Sequence, residues 1–179
     1  MYHLYTLHGS LFCLTLVPPP ALSLPFFLRE DEDHPGLTDY EASFLRLLDK
    51  LCNGTRVDIN HTGTVVKYKP GLLIGGKITH DCPPSRAIGY FLEAIICMAP
   101  FAKKPFALTL TGVTNNEQDP SVDVLRTVTL PLIRRFGVED GLELKVSGFF
   151  FYQPYPFSLQ VVALDFFLYV HSSILGRVV

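Results

Sequence analysis

Charge is distributed very unevenly along this chain of 179 residues, and that pattern limits where a folded domain can lie. Thirty of the 32 Asp, Glu, Lys and Arg residues fall in the central part of the sequence. Residues 1–28 contain none of them, and residues 147–179 contain only two. A globular domain needs a charged surface around its apolar core. We therefore expect one domain over residues 29–146, flanked by apolar segments that do not belong to it.

The two apolar segments could be read as membrane or targeting elements, but neither has the full pattern. The run Leu11–Val17 lacks a preceding basic region and leads into three consecutive prolines. Residues 156–174 approach the roughly 20 residues that a membrane-spanning helix needs, but Asp165 lies at their centre. We expect no association with a membrane, although a membrane-associated protein stays as an alternative.

The overall charge excludes a generally basic nucleic-acid binder. The formal net charge is -2 and the pI is about 6.3, whereas nucleic-acid-binding domains commonly carry an excess of Lys and Arg. Any contact with RNA would have to be local. The candidates for an RNA-binding or partner-binding site are the two basic doublets, Lys103 with Lys104 and Arg134 with Arg135, although a solvated surface explains each doublet more simply.

The four cysteines show no Cys-x-x-Cys pair and no short Cys/His spacing typical of zinc sites. The sequence therefore predicts no metal site and no cofactor, and it fits a reducing compartment. Cys52 and Cys97 lie in apolar helical patterns, which predicts that both thiols are buried.

The first half of the central region predicts a helix followed by a hairpin. Thr38 and Glu41 have the spacing of a capping box, and apolar residues recur at helical spacing up to Cys52. We expect a helix over about residues 39–52. Residues 55–60 and 64–69 alternate and are joined by turn residues, which is typical of a hairpin.

The second half predicts two more helices and further strands. Helical spacing covers residues 85–98, and strands are predicted over residues 77–79, 106–110 and 142–146. Asp119 and Pro120 should form the N-cap and first turn of the third helix, which Pro131 should disturb. The pattern of helix, glycine and strand occurs twice, which indicates an α+β fold with a weak internal repeat. The predicted core includes Phe44, Leu48, Leu92, Ile95, Leu125 and Ile133.

Three groups of residues suggest chemistry but are better explained by structure. Glu117, Asp119 and Asp123 could bind a cation, but a cap and first-turn carboxylates explain them more simply. His80, Asp81 and Cys82 are adjacent, and neighbours in an extended chain point to opposite sides. The glycine-rich residues 71–76 lack the Lys-Ser/Thr pair and the following helix of a phosphate-binding loop. No catalytic residue is predicted.

Several consecutive blocks of the sequence carry a family resemblance. The blocks at residues 41–50 and 68–76 read EASFLRLLDK and YKPGLLIGG, and they resemble motifs of the RNA 3′-terminal phosphate cyclase family. Further blocks resemble the cyclase-like branch of that family: HDC at 80–82, IGYFLE at 88–93, APF at 99–101, GVTNN at 112–116 and DPSVDVL at 119–125. The resemblance runs over about residues 29–146. From their lack of charge, we expect the two apolar ends to come from alternative or mispredicted exons.

The resemblance implies a fold of repeated units, each pairing helices with a small sheet, of which this chain would hold an incomplete set. Members that are true cyclases carry a nucleotide on a histidine near their C-terminus, beyond the matched region. Their N-terminal nucleotide-binding motif is replaced here by the uncharged residues before Arg29. We therefore expect this chain not to be an enzyme.

The cyclase-like branch implies a role in pre-rRNA processing and small ribosomal subunit biogenesis. The expected partners are a ribosome-biogenesis GTPase and the small-subunit processome, and the expected location is the nucleolus within the nucleus. The alternative is an RNA 3′-terminal phosphate cyclase that modifies RNA ends with ATP.

Overall fold

The computed structural model describes residues 24–27, 36–104, 106–135, 143–146 and 163–168. These residues form helices and small sheets, which confirms the α+β class. The chain divides into two compact units, one extending to Ile74 and the other beginning at Gly75. Each unit contains at least one helix together with a small sheet.

Among its described residues, the first unit contains one helix and two antiparallel sheets. Its elements are β1 (Leu24–Phe27), α1 (Asp39–Leu51), β2 (Cys52–Asn53), β3 (Arg56–Ile59), β4 (Val65–Lys69) and β5 (Leu72–Leu73). One sheet has the strand order β1-β4-β3, and the other pairs β2 with β5.

The start of α1 is the capping box that the sequence predicts. The Glu41 carboxylate accepts hydrogen bonds from the Thr38 backbone N–H at 2.9 Å and from the Thr38 hydroxyl at 2.7 Å. The helix ends at Leu51, one residue earlier than expected, because Cys52 is extended and pairs with Leu73. Local signals therefore account for the start of this helix, and sheet pairing accounts for its end.

The predicted hairpin is confirmed as β3 and β4, which pair antiparallel with Val57 opposite Tyr68. Along β4, Val66 and Tyr68 are fully buried, whereas the alternating Lys67 and Lys69 are exposed. Several side chains of α1 are also fully buried, namely Phe44, Leu47 and Leu48. The core of the first unit thus combines the apolar face of α1 with one face of the sheet.

The second unit is built around a four-stranded mixed sheet. Its elements are β6 (Gly76–Asp81), α2 (Ile88–Met98), a short 3-10 helix (Ala99–Phe101), β7 (Phe106–Thr111), α3 (Val122–Val124), a π-helical segment (Leu125–Thr129), α4 (Leu130–Arg135), β8 (Glu143–Val146) and β9 (Ala163–Leu168). The strand order is β6-β7-β9-β8, with β6 and β7 parallel and joined through α2.

Helix α2 begins at Ile88 and not at Ser85 as predicted, because a tertiary contact places its N-cap at Ala87. The helix is buried on nearly all sides, and only Glu93 and Cys97 are exposed. These two residues are four positions apart and therefore share one face. The prediction of a buried Cys97 is wrong, whereas that of a buried Cys52 is confirmed.

The third helical region departs from its prediction at its start and in its middle. Ser121, and not Asp119, is the N-cap, and its hydroxyl accepts a hydrogen bond from the Val124 N–H. A π-helical segment precedes Pro131. Proline has no N–H and its ring crowds the carbonyl four residues earlier, so a wider turn before it is a physical accommodation. Ile133 is only half-buried, so its assignment to the core is wrong; the other predicted core residues are buried.

Two strands lie in the segments that the sequence places outside the domain. Strand β1 pairs with β4, and β9 lies between β7 and β8 in the sheet. The remaining residues of those segments, including most of the 156–174 stretch, lie outside the described residues. Among the helices that the structure describes, none is long and apolar enough to span a membrane.

Candidate functional site

The His80-Asp81-Cys82 sequence does not form a reactive pair. His80 is buried, with its ring centroid 6.1 Å from that of Phe91. Asp81 faces the opposite side of β6, is exposed, and accepts a hydrogen bond from the Thr111 hydroxyl. The alternation expected of an extended segment is therefore confirmed.

Burial keeps the thiols of Cys52 and Cys82 protonated. It raises the pKa of Cys82 to about 12, with the nearby Asp81 carboxylate acting in the same direction, and it raises the pKa of Cys52 to about 11. Cys97 is exposed at the surface, but its partial burial and the Glu93 carboxylate also raise its pKa. Because the thiolate is the nucleophilic form, these cysteines are poorly suited to catalysis at neutral pH.

Asp119, predicted to cap the third helix, instead organises the start of α2. Its side chain is 1% exposed and makes a bidentate ion pair with Arg86, with the closest N–O distance 2.5 Å. It also accepts hydrogen bonds from the Ala87 backbone N–H at 2.8 Å and from the Asn116 amide at 2.7 Å. Helix capping by Asp119 thus occurs across 32 residues of sequence and not locally.

We call Arg86, Ala87, Gly89, Asn116, Asp119 and Pro120 the α2 junction. Beyond the Asp119 contacts, the Arg86 guanidinium lies 4.6 Å from the centroid of the Tyr90 ring. A Cβ atom on Gly89 would lie 1.8 Å from the Pro120 carbonyl oxygen, so the helix approaches this loop too closely for any side chain. The contacts of the α2 junction thus hold the start of α2 against the loop that contains Asn116, Asp119 and Pro120.

The rest of the acidic cluster does not converge on Asp119. Asp123 pairs with Arg126 at 3.5 Å on the helix surface, and Glu117 is exposed. In the part of the chain that the structure describes, no group of three or more His, Cys, Asp or Glu side chains is placed to hold a metal ion.

Local backbone geometry explains the glycines of residues 71–76. A Cβ atom on Gly71 would lie 2.5 Å from the Asn53 carbonyl oxygen, so this position is closed to larger residues. Gly75 and Gly76 have positive φ angles of 82° and 115°, which favour glycine. Tight turns around β5 therefore account for this motif.

The two predicted basic doublets are on the surface of the second unit. Lys103 and Lys104 are exposed in the loop between the 3-10 helix and β7. Arg134 and Arg135 are exposed in the last turn of α4. Cations at a helix C-terminus interact favourably with the helix dipole. The arginine doublet can therefore stabilise the end of α4 independently of any partner.

The sequence reasoning missed a second basic surface, which we call the hairpin basic face. It consists of Arg56 on β3 with Lys67 and Lys69 on β4, and all three side chains are exposed. Arg56 lies directly opposite Lys69 in the register, and Asp58 lies opposite Lys67. The alternation of charge along each strand was visible in the sequence, but the register that combines the two strands was not.

A groove lies on the other side of β3. It has a volume of about 300 Å³ and is lined by Ala42, Leu45, Arg46, Asp49, Val57 and Ile59. Ile59 is 47% exposed. The first unit therefore offers a basic face and a partly apolar groove next to the same strand.

The described residues define an α+β protein of small sheets accompanied by helices. The reactive side chains of His80, Cys82 and Asp119 are committed to core and capping contacts. The chain belongs to the RNA 3′-terminal phosphate cyclase family, because the model of that family matches residues 27–153.

The chain is also similar to proteins of the cyclase-like type. It is 57% identical over 120 residues to a probable RNA 3′-terminal phosphate cyclase-like protein of Dictyostelium discoideum, covering 66% of this chain and 32% of the relative. It is 54% identical over 120 residues to the human RNA 3′-terminal phosphate cyclase-like protein, with the same coverage. It is 56% identical over 117 residues to an rRNA processing protein of Schizosaccharomyces pombe, covering 65% of this chain and 32% of the relative. The chain thus spans about a third of the length of the curated relatives it matches.

Proposed function

We propose that this chain acts as a non-catalytic, cyclase-like protein in pre-rRNA processing and small ribosomal subunit biogenesis. The observation that carries the proposal is the 56% identity to a relative whose name is rRNA processing protein. A second relative with that description, from Saccharomyces cerevisiae, is 41% identical over 113 residues.

The non-catalytic part of the proposal is supported by how this chain uses its reactive side chains. His80 packs beside Phe91 in the core, and burial keeps the Cys82 thiol protonated. The Asp119 carboxylate is occupied by Arg86 and the start of α2. These groups stabilise the fold, and a binding role does not require any of them to react.

The proposed partners are a ribosome-biogenesis GTPase and the pre-rRNA processing complex, and the proposed location is the nucleolus. Lys103, Lys104, Arg134 and Arg135 stay candidates for RNA or partner binding. They are exposed, which a contact site requires.

The proposal is tested in cells depleted of their own cyclase-like protein. Expression of this chain should lower the accumulated pre-rRNA precursors measured by northern blotting, and it should co-precipitate a GTPase of ribosome assembly. Asp81→Asn is a suitable control, because it changes an exposed carboxylate without removing a core side chain. Unchanged precursor levels with the chain well expressed and folded would contradict the proposed role.

RNA 3′-terminal phosphate cyclization is the second candidate, because the matching family model carries that description. A cyclase of this kind would form a covalent nucleotide adduct. Incubation with radiolabelled ATP should leave this chain unlabelled, and a labelled protein band would favour the cyclase instead.

We also propose that residues 29–146 are the family domain, with residues 1–28 and 147–179 outside it. The matches to relatives, which cover about two thirds of the chain, support this division. Two strands outside these bounds pair with strands inside them, β1 with β4 and β9 with β7 and β8. Residues 29–146 should unfold in a single sharp thermal transition and scatter less light than the full chain; loss of that transition would indicate that β1 or β9 belongs to the domain.

A further inference from the structure

We propose that the hairpin basic face, formed by Arg56, Lys67 and Lys69, binds the phosphate backbone of RNA. The inference rests on the proposed role in pre-rRNA processing, since that role supplies RNA as the polyanion. It assigns the contact to the first unit of the chain, whereas the doublets predicted from sequence lie in the second unit.

The register brings the three cations together on one side of the sheet. Residues directly opposite in an antiparallel pair have Cβ atoms about 5 Å apart on the same face. Arg56 and Lys69 are such a pair. Lys67 is two positions from Lys69 along β4, which is about 6.8 Å at the usual rise of an antiparallel strand. The three charges therefore form one compact patch.

The patch is only partly neutralised by its own neighbours, since three cations share the face with one carboxylate, Asp58. Like charges directly opposite on a sheet are unfavourable, and the Arg56–Lys69 pair is of this kind. Asp58 faces Lys67 across the strands, but none of the ion pairs found among the described residues involves any member of the hairpin basic face. The hairpin basic face therefore keeps a local excess of positive charge, exposed to solvent and accessible to an external polyanion.

The patch is also held on a rigid support. The Asn60 side chain accepts a hydrogen bond from the Val65 N–H at 2.9 Å and donates one to the Thr64 hydroxyl at 3.0 Å. The Leu37 N–H donates to the Gly63 carbonyl at 2.9 Å, which ties the turn to the segment before α1. A preorganised surface loses less conformational entropy on binding.

Phosphate is favoured over other anions because the patch consists of several exposed cations in a row and not of a single enclosed site. Lys and Arg contacts to phosphates provide most of the sequence-independent affinity for nucleic acids, and they make binding depend steeply on salt. That dependence gives a quantitative test.

The test uses the full chain and a fluorescein-labelled single-stranded oligouridylate of about 20 nucleotides. Binding is measured by fluorescence anisotropy between about 50 and 200 mM salt. Each phosphate contact on single-stranded RNA adds about 0.7 to the slope of log K against log salt. The Arg56→Gln/Lys67→Gln/Lys69→Gln variant should therefore lose about 2 from that slope. Over this range the original chain should lose roughly 20-fold more affinity than the variant.

A charge-matched control is Arg46→Gln/Lys50→Gln/Lys77→Gln, which removes three exposed cations from other surfaces. It should leave the slope unchanged. A similar loss of slope in both triple variants would attribute the effect to net charge and overturn the proposal. The single variant Lys69→Gln should lose one phosphate contact and therefore about 0.7 from the slope. This variant keeps the test valid if the triple variant folds poorly.

Two further outcomes would overturn the proposal. One is unchanged RNA binding by the hairpin variant, and the other is equal competition by polyglutamate of the same length, which would indicate an acidic protein partner. The depletion experiment separates this inference from the proposed function. If the original chain rescues pre-rRNA processing but the hairpin variant binds RNA as well as the original chain does, only the hairpin proposal is contradicted. Failure of the original chain to rescue would instead remove the proposed function.

Discussion

Replacing Asp119 should destabilise the second unit more than most single changes, because one buried carboxylate serves three donors. Its side chain is 1% exposed and is bonded to Arg86, to the Ala87 N–H and to the Asn116 amide. Asp119→Ala leaves a partly buried guanidinium and two further donors without their acceptor. Breaking a buried ion pair in this way typically costs about 3–5 kcal/mol.

Changes at the partner should cost less, and this asymmetry is the specific test. The Arg86 side chain is 24% exposed, so solvent can reach its position. After Arg86→Ala, the carboxylate of Asp119 keeps the Ala87 and Asn116 donors. We expect a loss of about 1–3 kcal/mol. The double variant should lose less than the sum of the two single variants, by about 1–3 kcal/mol, because the two residues are in direct contact.

Urea unfolding followed by far-ultraviolet circular dichroism measures these differences in the free energy of unfolding. Asp119→Asn serves as the isosteric control and should fall between the original chain and Asp119→Ala, since the amide oxygen can still accept from Ala87. A cost below about 1 kcal/mol for Asp119→Ala, or strict additivity in the double variant, would refute the assignment of Asp119 as the organising residue of the α2 junction.

Three other changes test the core, a close backbone approach and the pH dependence. Leu48 is fully buried, so Leu48→Ala should cost about 2–5 kcal/mol in urea unfolding; a loss below about 0.5 kcal/mol would mean that this position is not packed as described. Gly89→Ala places a Cβ atom 1.8 Å from the Pro120 carbonyl oxygen, so α2 or its neighbouring loop must shift, and the melting temperature should fall by more than it does for Ala94→Gly. Burial raises the pKa of the Cys52 and Cys82 thiols from 9.0 to about 11 and about 12. The stabilisation by these neutral thiols is complete below about pH 9 and is lost as the pH rises towards those values. Urea unfolding from pH 8 to 11 should show this decline, and Cys82→Ala should make it shallower; an unchanged pH profile in that variant would contradict the contribution of Cys82.

The family assignment and the local elements were accessible from the sequence because their signals act over a few residues. The Thr38–Glu41 capping box predicts the start of α1, and the alternating residues around a turn predict the β3–β4 hairpin; both are present. The blocks that resemble the cyclase-like branch lie within residues 27–153, where the family model matches. The candidate doublets are indeed exposed, and their role in binding stays a prediction.

The remaining features depend on residues that are distant along the chain. Asp119 has the local pattern of a helix cap, yet it bonds to Arg86 and Ala87 some 32 residues earlier, and Ser121 takes the local cap. Cys97 fits an apolar helical pattern, but the packing of α2 leaves it on the exposed face beside Glu93.

Strand pairing determined two further features of the structure. Strand β9 lies between β7 and β8 although it comes from a segment with the composition of an unrelated end, and the register of β3 and β4 combines separate cations into the hairpin basic face. Composition and periodicity determined α1, α2 and the β3–β4 hairpin, but not β1 or β9. Tertiary structure decided which side chains meet, because hydrogen bonding between strands and the satisfaction of buried polar groups are conditions on pairs of segments and not on any one of them.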